Sequence, residues 1–139
     1  MGKRKSRVLF WHDFSTYADI IRWIRYFDLL PIVVDTEEAF KRGSGRRHVV
    51  SSLQEALSEF NSYRWVFLDH RGSAVLDEFE HPSKPTVYAF GEAVTGFDMD
   101  ASELPGDVVR LRVEEETHAR FVLPLVLYDR ALFLAGRRR

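Results

Sequence analysis

The sequence predicts an α/β protein with a mostly parallel sheet of five to six strands flanked by helices. Short, continuously apolar runs rich in β-branched and aromatic residues alternate along the chain with amphipathic helical patterns. The connections between the apolar runs are long enough for the crossovers that a parallel sheet requires. Because 139 residues with 45% hydrophobic side chains normally build one core, we expect a single domain over residues 1–139, with flexible basic tails at 1–6 and 137–139.

Five segments are predicted to be strands. Each is short, apolar and bounded by polar or turn-forming residues, as buried strands are. They are residues 8–11, 32–34, 65–68, 85–90 and 108–113.

The first predicted helix lies between the first two strands. It begins after Ser15 or Thr16, either of which can be its N-cap, and it ends before Pro31. Its apolar residues have helical spacing and are Ile20, Ile21, Ile24 and Phe27.

Further helices are predicted later in the chain. Ser52 and Glu55 have the spacing of a capping box at the start of a second helix. Short helices are expected at residues 37–41 and around 75–79. A last helix is expected over residues 117–134, with a kink where Pro124 removes a backbone hydrogen bond.

The composition excludes several classes of protein. No cysteine is present, so thiolate catalysis, disulfides and cysteine-ligated metal are excluded. No two histidines have a metal-ligand spacing, and we expect no metal. The longest apolar run, residues 121–127, is too short to span a membrane. With no export signal visible, a cytoplasmic protein is expected.

Three basic segments interrupt a chain whose net charge is only −1. They are residues 3–7, 41–48 and 137–139. Such runs are either solvated loops and tails or contacts for phosphate groups, and the sequence leaves both open.

Polar residues follow several predicted strands, at the edge of the sheet where α/β proteins bind ligands. His12 with Asp13, and Asp69 with His70, have the composition of acid–base pairs. Adjacent residues at a strand end usually point in different directions, which weakens that interpretation. Gly91 and Gly96, taken alone, are equally explained as turn glycines.

Residues 13–34 carry the first of three segments that match a known family in order and spacing. Thr16 is followed six residues later by Arg22, five further on by Phe27, and then by the strand at 32–34. The segment resembles the first motif of the SpoU class of knotted (SPOUT) RNA 2′-O-methyltransferases. In that motif an asparagine stands at the position of Thr16, so only the arginine and the phenylalanine fit.

The other two motifs of the class are matched in altered form. Residues 88–97 resemble the second motif, a strand ending in Gly91 with Gly96 close behind, although Glu92 stands one position earlier than in most members. Residues 116–130 take the place of the third motif but lack its Ser-Leu-Asn. Both segments are most similar to archaeal tRNA ribose methyltransferases that act on a T-loop cytidine, which share His118 and the Asp129-Arg130 pair.

The resemblance implies a C-terminal trefoil knot, an exception to the usual unknotted connectivity. The knot would bind S-adenosyl-L-methionine, mainly through backbone groups of three loops. The cofactor-binding residues it implies are Leu68, Asp69, Gly91, Glu92, Gly96, Leu111, Val113 and Glu116.

The resemblance also implies transfer of the methyl group to a ribose 2′-hydroxyl of RNA, with tRNA as the expected substrate. Arg22 and His118 would be the catalytic residues, although His118 is equally explained as a helix-start residue that packs or caps. The substrate-binding residues it implies are Thr16, Arg25, Arg46, Arg47 and Thr117.

Family members form homodimers through the first and last helices. Here the candidate apolar faces are Ile20, Ile24 and Phe27 on the first helix and Phe121, Leu125 and Tyr128 on the last. A helix packed on its own sheet would show the same pattern. Two alternatives to the enzyme stay open, namely a knotted relative without catalysis that binds RNA or a partner as a scaffold, and an unrelated α/β domain.

Overall fold

The computed structural model describes residues 4–13, 15–35, 48–91, 97–112 and 119–138. These residues form one seven-stranded sheet in the order β3-β2-β1-β6-β4-β7-β5, and the strand pairs described within it are parallel. The strands are β1 (Arg7–Trp11), β2 (Leu30–Val34), β3 (His48–Val50), β4 (Arg64–Leu68), β5 (Ala74–Val75), β6 (Thr86–Phe90) and β7 (Asp107–Arg110). The helices are α1 (Tyr17–Tyr26), α2 (Leu53–Glu59) and α3 (Ala119–Leu134), with 3₁₀ turns at Leu76–Glu78 and Ala101–Glu103.

The parallel α/β architecture predicted from the sequence is confirmed, but the prediction of five to six strands is wrong. The two additional strands are β3, which has three residues, and β5, which has two. Val75 was expected in a short helix; instead it pairs with Arg110 of β7, and the 3₁₀ turn begins one residue later. Such short strands exist because a neighbouring strand supplies hydrogen bonds, and they carry too few residues for a period-2 pattern.

Each face of the sheet is buried under helices, which explains the continuously apolar strands. In β1, Val8 and Phe10 pack on the face covered by α1 and α3, whereas Leu9 packs on the face covered by α2. The central β6 contributes Tyr88 to the first face, where it is among the largest fully buried side chains.

The helix boundaries follow from local hydrogen bonds. The Ser52 hydroxyl accepts a hydrogen bond from the Glu55 amide (3.1 Å), as the capping box predicts, but the Glu55 carboxylate accepts from the amide of Ser51 at 2.7 Å. At the end of α1, Asp28 has a φ of 58°, a left-handed conformation that Asp tolerates and that stops the helix before Pro31 is reached.

No helix in the described parts of the chain combines the length and the apolar character needed to cross a membrane.

Candidate functional site

The carboxyl ends of β4, β6 and β7 lie side by side at one edge of the sheet. Leu68 is paired with Phe90 on one side and with Val109 on the other. The residues that follow these strands, Asp69, Gly91 and Leu111, therefore begin three adjacent loops. This is the edge at which α/β sheets bind ligands.

Asp69 joins two of these loops through its buried carboxylate, whose side chain has 0% exposure. Its oxygens accept hydrogen bonds from Arg71 Nε (2.9 Å), Arg71 Nη2 (2.8 Å) and the Arg71 amide (2.9 Å). The Phe97 amide also donates to Asp69, at 3.4 Å, and Arg71 Nη2 donates to the Phe97 carbonyl at 3.0 Å. We call this arrangement of the Asp69 and Arg71 side chains on the Phe97 backbone the Asp69 clamp.

Burial of Asp69 tends to raise its pKa, but the hydrogen bonds from Arg71 and Phe97 outweigh this effect and lower the pKa below its ordinary value. The carboxylate therefore stays ionised at neutral pH and below. A charge-assisted, two-pronged pair with arginine is the strongest type of side-chain hydrogen bonding available here.

The ring of Phe97 is fixed by aromatic neighbours from two strands. It packs edge-to-face on Phe67 of β4, with 5.3 Å between ring centroids, and on Trp11 of β1, with 5.9 Å. Since its amide and carbonyl are held by the Asp69 clamp, both the ring and the backbone of Phe97 have defined partners.

The loop after β4 is also held against β7. The Asp69 amide donates to the Val109 carbonyl at 3.0 Å, and the Gly72 amide donates to the Asp69 carbonyl at 3.0 Å. A Cβ at Gly72 would lie 2.7 Å from the carbonyl oxygen of Val108, so this turn approaches β7 as closely as a glycine allows.

The structure brings together some of the site residues implied by the sequence and leaves others undetermined. Leu68, Asp69, Gly91 and Leu111 meet at the carboxyl edge, where Leu68, Asp69 and Gly91 are buried. Three further candidates, Thr16, Arg22 and Arg25, lie at or on α1. The other cofactor, catalytic and RNA-binding candidates lie outside the described residues, and they are Glu92, Gly96, Val113, Glu116, Thr117, His118, Arg46 and Arg47.

The first-motif residues occupy different environments on α1. Arg22 and Arg25 are exposed on this helix. Thr16 precedes it and is only 2% exposed, and Thr16 Oγ1 is buried with no hydrogen-bond partner among the described residues. Although Thr16 occupies the N-cap position, its side chain makes no capping bond.

In both pairs considered for acid–base chemistry, the carboxylate accepts hydrogen bonds from a residue other than the histidine. Asp13 Oδ1 accepts hydrogen bonds from the amide (2.9 Å) and the hydroxyl (2.8 Å) of Ser15. His70 Nδ1 lies 3.6 Å from Asp69 Oδ1, which is beyond hydrogen-bond distance.

Sequence reasoning missed Arg71 and Phe97 as partners of Asp69. A local signal was present, because an Asp followed by a short polar turn and a glycine is typical of a side chain that bonds the backbone two residues later. The contact with Phe97 spans 28 residues and has no local signature.

A second polar cluster, also missed, joins α3 to the sheet beneath the helix. His81 is fully buried, with Nδ1 2.9 Å from the Tyr88 hydroxyl and Nε2 2.7 Å from Asp129 Oδ2. Arg138 Nη1 donates to the same Asp129 oxygen at 2.9 Å. Because an ionised carboxylate only accepts, His81 Nε2 carries the proton and Nδ1 accepts from Tyr88, whose pKa is raised by burial to about 12.

We expect this cluster to make stability depend on pH. Burial lowers the pKa of His81 below 6.5, an effect that the hydrogen bond to Asp129 only partly offsets. As the pH falls, the His81 imidazole therefore becomes protonated in the unfolded chain before it does in the folded chain. The free energy of unfolding should therefore be unaffected by His81 above the unfolded-state pKa. Between the unfolded-state pKa and the folded-state pKa, it should decrease as the pH is lowered, by up to about 1.4 kcal/mol per pH unit.

Urea unfolding between pH 7.5 and 5 would measure this effect, with His81→Gln as the comparison that removes the titrating ring. The slope of unfolding free energy against pH should be shallower in the variant. Equal slopes in both proteins would assign the pH dependence to other groups.

Among the described residues, no group of three or more His, Asp or Glu side chains is placed to hold a metal ion.

Comparison with known proteins yields matches in structure. No protein-family model matches the sequence, and no curated protein matches it significantly. A structure that concerns the 2-OH methylation of C/U34 on tRNA superposes with a TM-score of 0.78 at 12% identity, covering 98% of this chain and 94% of that one.

Two further structures extend beyond the length of this chain. The SpoU methyltransferase AviRb from Streptomyces viridochromogenes has a TM-score of 0.78 at 17% identity, and the match covers 99% of this chain but 63% of AviRb. An AdoMet-bound rRNA methyltransferase from Sinorhizobium meliloti has a TM-score of 0.69 at 15% identity, with coverage of 92% and 56%. These matches show that the chain has the fold of SpoU-type RNA methyltransferases, as the sequence motifs predicted.

Proposed function

We propose that this chain, which has the fold of the SpoU-type RNA methyltransferases, is an S-adenosyl-L-methionine-dependent RNA ribose 2′-O-methyltransferase. The observation that carries the proposal is the convergence of the loops after β4, β6 and β7 at the carboxyl edge of the sheet. The loop after β6 begins at Gly91, in the glycine-containing segment that resembles the second family motif.

The residues at this edge fit a methyl donor. The backbones of Leu68, at the end of β4, and of Gly91 and Leu111, which directly follow β6 and β7, lie at this edge. Recognition through backbone groups tolerates the altered side chains of the motifs. The buried hydroxyl of Thr16 offers a further polar group that a ligand could satisfy. S-adenosyl-L-methionine would supply an activated methyl group on a sulfonium.

The roles left to this chain are positioning and electrostatic stabilisation. We propose that Arg22 binds the phosphate beside the target ribose. In this position its guanidinium would stabilise negative charge on the 2′-oxygen. A guanidinium stays protonated, so we do not assign general-base action to Arg22. The proton of the 2′-hydroxyl would pass to the imidazole of His118, to which the resemblance gives this role, and S-adenosylhomocysteine would be the leaving group. Arg25, three residues along the same helix, lies near enough to contribute to phosphate binding.

Calorimetric titration of the folded protein with S-adenosyl-L-methionine and with its demethylated product tests the cofactor. Both should bind at one site per chain. Transfer of a labelled methyl group to a total tRNA fraction, followed by nucleoside analysis, then tests for a 2′-O-methylated product.

The scaffold hypothesis is the second candidate, and the replacement of the family asparagine by the buried Thr16 favours it. The titration separates the two. If the folded protein binds RNA but binds neither S-adenosyl-L-methionine nor its demethylated product, the enzyme hypothesis is excluded and the scaffold hypothesis stands.

We extend the proposal to a homodimer. The first-helix face expected from the sequence needs correction, because Ile20 and Ile24 are buried in the core of their own chain. On α3, by contrast, Phe121, Leu125 and Tyr128 are 54%, 56% and 59% exposed and share one helical face. A large apolar face of this kind typically marks a protein interface.

Replacing Leu125 with arginine should convert a dimer into monomers, because the charge would be buried at the interface without a partner. Size-exclusion chromatography with light scattering measures the mass. Leu134→Arg is the matched control, since Leu134 is also exposed on α3 but lies away from this face, and it should leave the mass unchanged. A wild-type protein with the mass of one chain would refute the dimer.

Two finer points of the resemblance remain part of the proposal. The first is the trefoil knot formed by the C-terminal third of the chain. The second is the identity of the RNA, for which the likeness to the archaeal T-loop enzymes favours tRNA. Nucleoside mapping of the methylated product would identify the modified position.

A further inference from the structure

On the basis of the proposed function, we propose that Asp69 and Arg71 are positioning residues that set the spacing of the donor-binding loops and do not themselves bind the donor. This assigns Asp69 a different role from the cofactor contact that the sequence motifs imply. The observation is the Asp69 clamp, which links the loop after β4 to Phe97, in the chain between β6 and the 3₁₀ turn at Ala101–Glu103.

The hydrogen-bonding capacity of Asp69 is already used within the protein. An ionised carboxylate accepts about four hydrogen bonds. Arg71 supplies donors from Nε, Nη2 and its amide, and Phe97 supplies another from its amide. The Asp69 amide and carbonyl are also paired, with Val109 and Gly72 respectively. A ligand at this edge would therefore have to displace an existing partner in order to hydrogen-bond the carboxylate or the amide of Asp69.

The clamp fixes the position of Phe97, which lies between β6 and the 3₁₀ turn at Ala101–Glu103. Gly91 directly follows β6 and so is fixed to the sheet. Phe97 is held by Asp69 and Arg71 through its amide and carbonyl, and its ring packs between Phe67 and Trp11. Loss of Asp69 would release the amide of Phe97 and loss of Arg71 would release its carbonyl, while the ring contacts stay in place.

The same turn is also held against β7, the strand that precedes the third loop. The Asp69 amide bonds to Val109, two residues before Leu111, and Gly72 lies against the backbone of β7. One short turn, residues 69–72, thus contacts both Phe97, which follows β6 along the chain, and β7, from which the third loop starts. Preorganisation of a site in this way increases affinity, because less conformational freedom is lost when the ligand binds.

The charge of the clamp suits a cationic donor. Arg71 is paired with Asp69 at 2.8 Å, so the pair adds no net positive charge near a sulfonium. The fork of the guanidinium is also necessary, because it bonds the two Asp69 oxygens and the Phe97 carbonyl together, which the single ammonium of a lysine cannot do.

The test compares Asp69→Asn, Arg71→Ala and Arg71→Lys with the control Arg64→Ala. Arg64 is at the opposite end of β4, where it forms an exposed ion pair with Asp107. Binding of S-adenosylhomocysteine is measured by calorimetry well below each melting temperature, and amide exchange of residues 97–100 is measured without ligand.

We expect each clamp variant to raise the Kd by about tenfold or more, whereas Arg64→Ala should leave it unchanged. Arg71→Lys should not restore affinity. A merely structural role would lower the melting temperature without changing the Kd of the folded protein. Exchange at Phe97 should be faster in the clamp variants than in the wild type or the control.

The outcomes separate the two proposals. If the wild type binds S-adenosylhomocysteine and the clamp variants bind it equally well, the positioning role is refuted and the proposed function stands. If the wild type binds neither this product nor the donor, the proposed function fails. Unchanged exchange at Phe97 in every clamp variant would refute the clamp itself, whether or not the donor binds.

Discussion

Replacing Arg22 with alanine is expected to lower the rate of methyl transfer to RNA by about 100-fold, the effect of removing one electrostatic contact to a developing oxyanion. Arg22 is exposed on α1, so the substitution removes no buried contact. The unfolding free energy should therefore stay within about 0.5 kcal/mol of the wild-type value. Initial rates with saturating donor and RNA would measure the change.

Arg25→Ala is the matched control, because Arg25 is also an exposed arginine of α1. We expect it to weaken RNA binding and to affect the rate at saturation only slightly. Arg22→Lys keeps the charge but not the planar fork, and it should recover part of the rate. Turnover by Arg22→Ala within twofold of the wild type would remove Arg22 from the catalytic assignment.

The central strands were predictable because burial on both faces of the sheet determines their composition. β1 and β6 are buried on both faces, and this produces short, continuously apolar runs that need no knowledge of the neighbours. β3 and β5 were not predictable in the same way. The Ala74–Val75 strand is defined by its pairing with Val109 and Arg110, which only the folded sheet brings into place.

The orientation of α3 could not be read from its sequence. Apolar residues occur on nearly every side of this helix, so periodicity does not identify the side that packs on the sheet. The structure buries Leu123, Val126 and Leu127 and leaves Phe121, Leu125 and Tyr128 exposed. The outward face carries the proposed dimer interface, whereas the inward face is required by the core.

The positions of the candidate site were more predictable than its contacts. The carboxyl ends of parallel strands share one edge, which placed the site among the loops that follow the strands, and the family resemblance implied the loops after β4, β6 and β7. Which side chains would pair was not predictable, since Arg71 reaches Phe97 across 26 residues and His81 reaches Asp129 across 48. Long-range polar pairs of this kind leave no periodic signal.

Replacing Gly72 with alanine is expected to destabilise the protein by about 3 kcal/mol, at the upper end of the cost of overpacking. The new Cβ would lie 2.7 Å from Val108 O, 2.8 Å from Val108 C and 2.9 Å from Val109 C. These are backbone atoms of β7, so relief requires the turn and the strand to separate. Urea unfolding measures the loss, and Ser73→Ala, at the exposed neighbouring position, should cost less than about 0.5 kcal/mol.

A variant at a second glycine, Gly106, separates the effect of lower stability from the effect of a displaced binding site. At Gly106 a Cβ would lie 2.3 Å from the Trp65 carbonyl oxygen, so Gly106→Ala should be destabilising for the same reason, but it acts near the start of β7. Gly72→Ala displaces the turn that contains Asp69. At a temperature where both variants are folded, only Gly72→Ala should weaken binding of S-adenosylhomocysteine. Equal weakening by both would show that general loosening of the sheet, and not the placement of the turn, controls the affinity.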